Sequence, residues 1–386
     1  MRPLSFLAPD FLEDPWPHYA RFRAESPVWW SAEISMFCVF RYDDVQEALT
    51  SQAYTVEYPF RISRQILGTT LLDMDGPRHR ELRRSLNPFL GPERLEAFHG
   101  SAAASVIDSL LDGIAPGEFD FVEGFCNQVP IRVISRFLGL PSGDTPWVFE
   151  KMMYLIRHLD GSKGDFGKAS AIRKEMEAYI GGLMERRAEA DSPRSLAPGM
   201  IASCLDSGLD AEAALRMALL FIAAGTETST AALGNAMVCL LRHPECLERV
   251  SGDTGLVPGV ILEALRWEPP QHDTVRFAAR DTVLGGVRIP KGGSLKLLLA
   301  SANRDEAKFG RADEFIPGRP ERMLLSFGSG PHACLGRNFA TRELELALRK
   351  FLERFEVRPA SSGAPAIRGS TFRQPERVPL RLAYRR

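Results

Sequence analysis

A glycine-rich loop that carries one thiol stands out in the chain, with the sequence Phe327-Gly328-Ser329-Gly330-Pro331-His332-Ala333-Cys334-Leu335-Gly336-Arg337. Gly328, Gly330 and Gly336 allow backbone turns and close approaches that a β-carbon would resist, so the loop could wrap around a large flat group. Backbone amides near the start of the helix that follows would favour the thiolate form of Cys334. A lone cysteine is usually a small buried hydrophobic residue. This loop instead makes Cys334 a candidate metal ligand.

Composition describes a globular chain that can bury a large core. Its 386 residues are 45% hydrophobic, with a formal net charge of −1 and a pI near 6.7. These values give no electrostatic footprint for nucleic acid or for an anionic membrane. Residues 1–19 interleave apolar positions with prolines and acids and show neither a signal peptide nor a membrane span. We therefore expect a cytoplasmic protein with no membrane anchor and no nucleic-acid partner, and we expect a monomer.

The other five cysteines are scattered and form no Cys-x-x-Cys pair of the kind that marks zinc or redox sites. We interpret them as packing residues; they are Cys38, Cys126, Cys204, Cys239 and Cys246.

Helical and strand patterns predict a mainly α chain with a smaller β portion, folded as a single domain over residues 1–386. The β-rich parts are expected at about 28–42, 275–300 and 355–386, including a hairpin over Val28–Tyr42, a meander over residues 282–299 and a last strand over Arg377–Tyr384. The expected helices run from Pro77 to just before Pro88 and over Ala102–Leu111, Ala171–Arg187, Ala211–Arg242, Val257–Arg266 and Leu335–Phe355.

The spacing Phe327-x-x-Gly330-x-His332-x-Cys334-x-Gly336 resembles the haem-binding signature of the cytochrome P450 superfamily, and the chain looks most like its soluble bacterial members. The resemblance implies the cytochrome P450 fold, with haem b between the long oxygen-side helix and the helix after the cysteine. Cys334 would ligate the iron. Phe327 and the amides held by the glycines, Gly336 included, would adjust the electron donation of the sulfur.

A second pattern is the acid–base pair Glu263-x-x-Arg266 on a predicted helix. Pairs at this spacing usually decorate exposed helices and contribute about 0.2–0.5 kcal/mol. The resemblance implies a different role, in which the pair is buried, is joined by Arg319 and supports the haem-binding loop.

A third pattern is the run Ala224-Gly225-Thr226-Glu227-Thr228-Ser229, where polar residues interrupt an apolar helix. Serine and threonine can bond back to helix carbonyls, so a local bend with satisfied hydroxyls is one interpretation. The resemblance implies another, namely a loosened helical turn over the distal haem face. Thr228 would then guide protons during oxygen activation, and Glu227 would connect the site to solvent.

A fourth pattern places His79 and Arg83 on one face of a helix at i,i+4, where they could clamp an anion. A solvated basic stripe is the usual explanation of this spacing. The resemblance implies instead that His79, Arg83, Arg276 and His332 bind the two haem propionates.

The resemblance implies a monooxygenase that inserts one oxygen atom of O2 into a small hydrophobic substrate, which we expect to be a specialised metabolite. No flavin or iron–sulfur motif is evident, so electrons from NAD(P)H should arrive through a ferredoxin and its reductase, with Arg337 and Arg342 as candidate docking residues. Two alternatives stay open, a peroxide-driven haem-thiolate peroxygenase and a haem-based ligand binder or sensor without turnover. The Glu227-Thr228 pair favours the monooxygenase over both.

Substrate contacts are the least specified part of the prediction. Leu219, Leu220 and Ala223 would suit an apolar pocket, although a buried helix would show the same residues. Further candidates are Gln271, His272 and Phe372. Because the Gln271-His272-Asp273 run is polar and Arg61 and Arg64 lie in the first variable loop, we hypothesise a hydrophobic substrate that carries a polar or acidic group.

Overall fold

The structure is a computed structural model that describes residues 4–58, 61–157, 166–188, 210–320, 323–361 and 363–385. Cys204 lies outside the described residues. The α-helices are α1 (Pro9–Glu13), α2 (Trp16–Glu25), α3 (Tyr42–Thr50), α4 (Ile62–Leu67), α5 (Gly76–Leu86), α6 (Pro92–Phe98), α7 (Ala104–Asp112), α8 (Val129–Leu138), α9 (Thr145–Arg157), α10 (Phe166–Ala188), α11 (Ala211–Arg242), α12 (Pro244–Gly252), α13 (Val257–Trp267), α14 (Leu299–Ala302) and α15 (Arg337–Arg354).

The strands are β1 (Val28–Ser31), β2 (Met36–Val39), β3 (Tyr54–Thr55), β4 (Gly117–Asp120), β5 (Thr274–Ala278), β6 (Thr282–Leu284), β7 (Val287–Ile289), β8 (Ser294–Leu297), β9 (Phe355–Pro359), β10 (Ile367–Arg368), β11 (Gln374–Pro375) and β12 (Pro379–Tyr384). The prediction of a mainly α fold with a smaller β portion is confirmed.

Helix α11 is the central element of the helical part. The Asp210 side chain accepts a hydrogen bond from the Ala213 amide and so caps the start of the helix. Helices α8, α9, α10, α13 and α15 all pack against it. By length and apolar composition alone α11 would qualify as a membrane span, but 78% of its most apolar stretch is buried inside the fold, as expected of a core helix.

The largest sheet joins distant parts of the chain in the order β1-β2-β8-β5-β3. The predicted hairpin near residues 28–42 is confirmed, since β1 and β2 pair antiparallel from Val28 opposite Val39. Strand β8 runs parallel to β2 and antiparallel to β5. The predicted meander is wrong, because β6 and β7 form a separate hairpin and β8 finds its partners elsewhere. Local turn signals could not identify those distant partners.

Two smaller sheets use the end of the chain. Strand β12 lies between β4 and β9 and pairs antiparallel with both, while β10 and β11 form a two-stranded ribbon. The last strand predicted from the sequence is therefore present, and it attaches the C-terminal segment to a strand near residue 120.

In the part of the chain that the structure describes, the apolar core falls into three clusters that position the loop around Cys334. The largest surrounds α11 and reaches the buried face of α15. A second lies between the five-stranded sheet and α3, and a third packs α2 against the same sheet. Burying such side chains contributes roughly 1.5–3 kcal/mol each. The cysteine loop, which leads into α15, is thus supported by packed elements on several sides.

Candidate active site

The backbone of the cysteine loop folds back on itself. The Cys334 amide donates to the Phe327 carbonyl at 2.7 Å, and the Ala333 amide donates to the Gly330 carbonyl at 3.1 Å. Gly328 and Gly330 have φ values of +66° and +70°, which favour glycine. A β-carbon at Gly330 would also lie 2.9 Å from the Leu49 carbonyl oxygen, so the loop packs tightly against the end of α3.

Helix α15 begins just after the thiol, with Gly336 as the residue that precedes its first turn. The Gly336 α-carbon lies close to the sulfur, since a β-carbon there would sit 4.0 Å from Cys334 Sγ. The Arg337 guanidinium lies over the Phe327 ring, 5.5 Å from its centroid. Phe327, Gly336 and Cys334 are thus brought together as the sequence suggested.

The electrostatics of Cys334 differ from the sequence-based expectation. Although part of the residue is exposed, dense packing around the sulfur raises the pKa of the thiol. The amides of Gly336 and Arg337 and the charges of Arg83 and Arg337 oppose this shift but do not overcome it. Amides near the helix start therefore favour the thiolate, as expected, but the effect of burial on the pKa of the thiol is larger. A bound metal ion would favour the thiolate form of the sulfur.

Behind the loop, Glu263 and Arg266 form a buried pair on α13. Arg266 donates to both carboxylate oxygens of Glu263, at 2.9 and 2.8 Å. Arg319 reaches the same carboxylate at 3.3 Å, and the Ile316 amide donates to it at 2.8 Å. All three charged side chains are at most 5% exposed. Glu263, Arg266 and Arg319 thus form a buried structural cluster, called the brace below, and not an exposed ion pair on a helix surface.

Two polar residues that sequence reasoning missed, Asn303 and Ser326, connect this brace to the cysteine loop. Arg266 donates to the Asn303 carbonyl at 2.9 Å. The Asn303 side chain accepts from the Leu325 amide at 2.6 Å and donates to the Ser326 hydroxyl at 2.7 Å. Ser326 in turn donates to the Leu265 carbonyl at 2.5 Å. Since Ser326 directly precedes Phe327, the chain of hydrogen bonds ends at the loop.

A cluster of basic side chains lies where α5 meets the cysteine loop. The His79 and His332 rings are 4.2 Å apart, and Arg83 donates to the Ala333 carbonyl at 2.6 Å. Burial, with the nearby charges of His332 and Arg83, lowers the pKa of His79 to about 4. The buried Nε2 atom of His79 has no hydrogen-bond partner within the described part of the chain.

Arg276, on β5, belongs to the same electrostatic neighbourhood. Burial, reinforced by the charge of Arg61, lowers the pKa of its guanidinium to about 10, while Asp75 opposes the shift. Among the described residues its one hydrogen bond goes to the Val275 carbonyl, at 2.9 Å. A guanidinium has five N–H donors, so Arg276 has donor capacity to spare.

Asp75 is a site residue that sequence reasoning missed. It accepts hydrogen bonds from His332 at 2.7 Å, from the Thr55 hydroxyl at 2.5 Å and from the Val56 amide at 2.9 Å. Burial opposes its ionisation, but these hydrogen bonds outweigh burial and hold the pKa of the carboxyl well below its usual range. Asp75 thereby fixes the ring of His332. The only available signal was an acid at the start of the helix that carries His79.

The polar run from Ala224 to Ser229 on α11 forms regular helix. Thr226 and Thr228 donate their hydroxyls back to the Ile222 and Ala224 carbonyls, at 2.6 and 2.7 Å. The loosened turn implied by the resemblance is therefore wrong, because the α-helix runs without a break from Ala211 to Arg242. Ala224 is exposed and Thr228 is half-buried although the helix around them is mostly buried, so this face of α11 borders an opening. Glu227 is buried.

The predicted substrate contacts divide into two groups. Leu219, Leu220 and Ala223 are buried on α11, which suits a core helix as well as a pocket wall. His272 is fully buried, forms a hydrogen bond with the Tyr19 hydroxyl at 3.1 Å and lies beside the Trp16 ring, so its placement contradicts a substrate contact. The N-terminal helix α2 covers this side of the chain, which a local polar pattern could not reveal.

The remaining polar candidates also have structural partners within the fold. Gln271 pairs with Phe372 in an isolated β-bridge and donates to the Asp273 carbonyl at 2.9 Å. Asp273 forms an ion pair with Lys296 at 2.6 Å. In the first variable loop, Arg64 is exposed, whereas Arg61 is half-buried and lies 3.8 Å from the Asp73 carboxylate.

Comparison with known proteins identifies the family. The sequence profile described as Cytochrome P450 matches residues 149–377. The chain belongs to the cytochrome P450 family. Like its relatives, this cytochrome P450 is an oxidoreductase of the monooxygenase class.

Two similar sequences come from bacteria. The putative cytochrome P450 123 of Mycobacterium tuberculosis is 32% identical over 89% of this chain and 88% of its own length. The cytochrome P450 monooxygenase PikC of Streptomyces venezuelae is 31% identical over 91% of this chain and 86% of its own length.

Among solved structures, P450BioI in complex with a hexadec-9Z-enoic acid ligated acyl carrier protein is similar. The TM-score is 0.89 at 27% identity, over 96% of this chain and 99% of that one. The cytochrome P450 CxnD, described as acting in C–S bond formation in chuangxinmycin biosynthesis, gives a TM-score of 0.85 at 28% identity, over 98% and 97% of the two chains.

The residues of this cytochrome P450 fit the haem that the family implies. Cys334 offers one sulfur ligand in a loop held by backbone hydrogen bonds. The Nε2 atom of buried His79, which has no partner among the described residues, and the spare N–H groups of Arg276 are suitable donors for carboxylates. Arg83 and His332 lie in the same cluster. A planar group with one metal and two carboxylates matches this set of donors.

Proposed function

We propose that this cytochrome P450 binds haem b through Cys334 and inserts one atom of O2 into a C–H bond of a small hydrophobic substrate. The observation that carries the proposal is the half-buried Thr228 at an opening on α11, next to the buried Glu227, in a chain similar to named monooxygenases. Electrons would come from NAD(P)H through a ferredoxin and its reductase. A cytoplasmic location and a monomeric state are part of the same proposal.

The proposed haem-binding residues have separate tasks. Cys334 ligates the metal, and His79, Arg83, Arg276 and His332 bind the two propionates. When bound, haem with a thiolate ligand supplies the activation of dioxygen. The brace around Glu263 keeps the loop in place, and Asp75 keeps the His332 ring oriented.

Thr228 is the proposed proton-guiding residue. Its hydroxyl hydrogen is engaged with the Ala224 carbonyl, so in this arrangement its oxygen can accept a hydrogen bond but cannot donate one elsewhere. Proton delivery therefore requires the hydroxyl to rotate away from Ala224 in each cycle. The buried Glu227 carboxyl, next in sequence, would supply the proton from the solvent side.

A specialised metabolite is supported as the substrate class by the names of relatives. One relative from Streptomyces fradiae is named 20-oxo-5-O-mycaminosyltylactone 23-monooxygenase and is 31% identical over 92% of this chain and 83% of its own length. The hypothesis of an acidic group on the substrate now rests on Arg61 and Arg64 in the first variable loop, since His272 and Asp273 have structural partners. Arg64 is exposed, and Arg61 would have to share its charge with Asp73.

Titration with matched acidic, neutral and basic scaffolds tests whether the substrate carries an acidic group. The readout is the spectral shift that accompanies loss of the distal water. A preference for acidic scaffolds that weakens in Arg61→Gln supports it. Equal response to all three charges overturns it.

The proposed ferredoxin surface includes Arg337, which is exposed, and Arg342, which is half-buried. Replacing Arg337 and Arg342 by glutamate should slow reduction by a ferredoxin by about tenfold or more at low salt, because electrostatic steering accelerates association by 10–10³. Arg288→Glu, on the β6-β7 hairpin, is the matched control. An unchanged rate in the double variant would exclude this surface.

Reconstitution with a ferredoxin and its reductase tests the main proposal. NADPH consumption linked to an oxygenated product, together with a thiolate-type Soret band of the reduced carbon monoxide adduct, is the expected result. Robust turnover with hydrogen peroxide and none with the redox chain would establish the peroxygenase alternative. Ligand-induced spectra without any product would establish the sensor. A purified protein without haem would overturn all three.

A further inference from the structure

Asp75 divides the two oxygens of its carboxylate between distant parts of the chain. Oδ1 accepts the hydrogen bond of His332, in the cysteine loop, at 2.7 Å. Oδ2 accepts from the Thr55 hydroxyl at 2.5 Å and from the Val56 amide at 2.9 Å. Residues 55–57, called the loop base, lead into the first variable loop. One side chain therefore contacts both the cysteine loop and the loop base.

The loop base is also held by the backbone of Asp75 and by β5. The Asp75 amide donates to the Glu57 carboxylate at 2.9 Å, so hydrogen bonds run in both directions across this junction. Thr55 lies opposite Phe277 in the antiparallel pairing of β3 with β5. Since Phe277 follows Arg276, the loop base lies beside the proposed cofactor-binding cluster.

Further along the first variable loop, a second acid holds separate segments together. The buried Asp73 carboxylate accepts from the Ser63 hydroxyl and from the Thr70 hydroxyl, each at 3.0 Å. The Arg61 guanidinium lies 3.8 Å from the same carboxylate. Because these contacts cross-link the loop, the segments around Ser63 and Thr70 move together.

The side chain of Asp75 does not take the usual role of an aspartate at its position. Asp75 is the N-cap residue of α5, yet its carboxylate accepts no hydrogen bond from a described amide of that helix. Burial opposes ionisation of this carboxyl, but the hydrogen bonds from His332, Thr55 and Val56 hold its pKa well below the usual range. Asp75 is therefore a carboxylate that can only accept hydrogen bonds, and each of its oxygens serves a different neighbour.

We propose that Asp75 is a positioning residue that couples the first variable loop to the ring of His332. Strong hydrogen bonds on both oxygens fix the carboxylate, so a shift of the loop base displaces His332, and a shift of His332 displaces the loop base. Such coupling between two sites is reciprocal. The first variable loop carries Arg61 and Arg64, so substrate contacts are linked to cofactor contacts. That last link rests on the proposed function, whereas the coupling of the loop base to His332 does not.

Hydrogen exchange at the Val56 amide, which donates to Asp75, measures the state of the loop base directly. His332→Phe removes the donor to the other carboxylate oxygen and should lower the protection of this amide by about tenfold, since hydrogen bonds to charged groups are among the stronger ones. His79→Phe is the matched control, because His79 lies in the same cluster without a hydrogen bond to Asp75. Unchanged protection in His332→Phe, or an equal loss in both variants, would overturn the proposal.

The reverse direction decides the matter should His332→Phe not fold. Thr55→Val removes one hydroxyl contact with the carboxylate and keeps the shape of the side chain. It should speed exchange at the Ala333 amide, in the cysteine loop, severalfold. Thr254→Val removes another hydroxyl–carboxylate hydrogen bond, to Glu353 at 3.0 Å, and should leave the Ala333 amide unchanged. Exchange at Ala333 that is the same in Thr55→Val and in the wild type would overturn the proposal.

Transfer of haem to excess apomyoglobin extends the test to the cofactor. Thr55→Val should lose haem severalfold faster than the wild type, although the proposed function gives Thr55 no contact with haem. Thr55→Ser keeps the hydroxyl and should restore the wild-type rate, and Thr254→Val should not change it. Equal rates in all four proteins would overturn the link from His332 to the cofactor. A wild-type protein without haem would instead contradict the proposed function and leave the exchange results standing.

Discussion

Thr226 and Thr228 show how two identical side chains on one helix come to have different tasks. Both hydroxyls bond back to a carbonyl one turn earlier, at nearly the same distance. Thr226 is fully buried, whereas Thr228 is half-buried at the opening on α11. Only Thr228 can exchange its carbonyl partner for another molecule.

We expect Thr228→Ala to lower product formed per electron by at least about tenfold, because a positioned proton donor contributes factors of this size or more. The electrons lost from product should appear as hydrogen peroxide, measured against NADPH consumed. Thr228→Ser keeps the hydroxyl and should recover most of the coupling, meaning the product formed per electron consumed. Thr226→Ala should leave coupling intact and cost about 1 kcal/mol of stability. Equal uncoupling in both alanine variants would remove the special role of Thr228.

At the scale of elements, the brace between α13 and the segment before the cysteine loop has an internal comparison. The Glu263–Arg266 pair is at most 3% exposed, while Arg311 and Glu314 form a pair at the same i,i+3 spacing that is more than half exposed. Burial turns the same spacing from a marginal interaction into a structural one.

Arg266→Ala should therefore destabilise the fold by about 3–5 kcal/mol, since it leaves the Glu263 carboxylate buried without its partner. Arg311→Ala should change stability by about 0–1 kcal/mol. Denaturant unfolding, with haem retention measured in parallel, checks both values. A loss below about 1 kcal/mol in Arg266→Ala would mean that the brace contributes little to folding.

The seam between the cysteine loop and α3 is a second element-scale feature. Gly330→Ala should cost about 1–3 kcal/mol and weaken haem retention, because φ is +70° and the β-carbon would approach the Leu49 carbonyl. Gly252→Ala, at the end of α12, meets no atom within 4 Å and should be neutral or slightly stabilising. A Gly330→Ala variant that retains haem as the wild type does would show that the loop can shift without loss.

Residue patterns predicted the elements better than they predicted the contacts between them. The bounds of α11 followed from its apolar pattern, and the Cys334 loop followed from its glycines. The partners of β8 and the covering of His272 by α2 depend on residues far apart in sequence, so no local pattern could contain them. The same holds for Asn303 and Ser326, whose importance arises only where the brace meets the loop.

At the scale of the whole molecule, Glu343, a buried carboxyl group on α15, makes the free energy of unfolding fall as pH rises. Its pKa in the fold is about 8, above the ordinary value of 4.5. The folded state therefore binds more protons between these values, and stability falls as pH rises through this window. Glu343→Gln should match the wild type near pH 5 and become the more stable protein by pH 9. Urea unfolding at both pH values checks this, and parallel curves for the two proteins would contradict it.

The pairing of β2 with β8, and of β12 with β4, has a consequence for synthesis on the ribosome. The N-terminal strands emerge long before residues 294–297, and β4 emerges long before residues 379–384. Neither sheet can close until the last strand has left the exit tunnel, so contacts of high sequence separation dominate the end of folding. The nascent chain thus carries unpaired strand edges through most of translation, which makes it a natural client for chaperones.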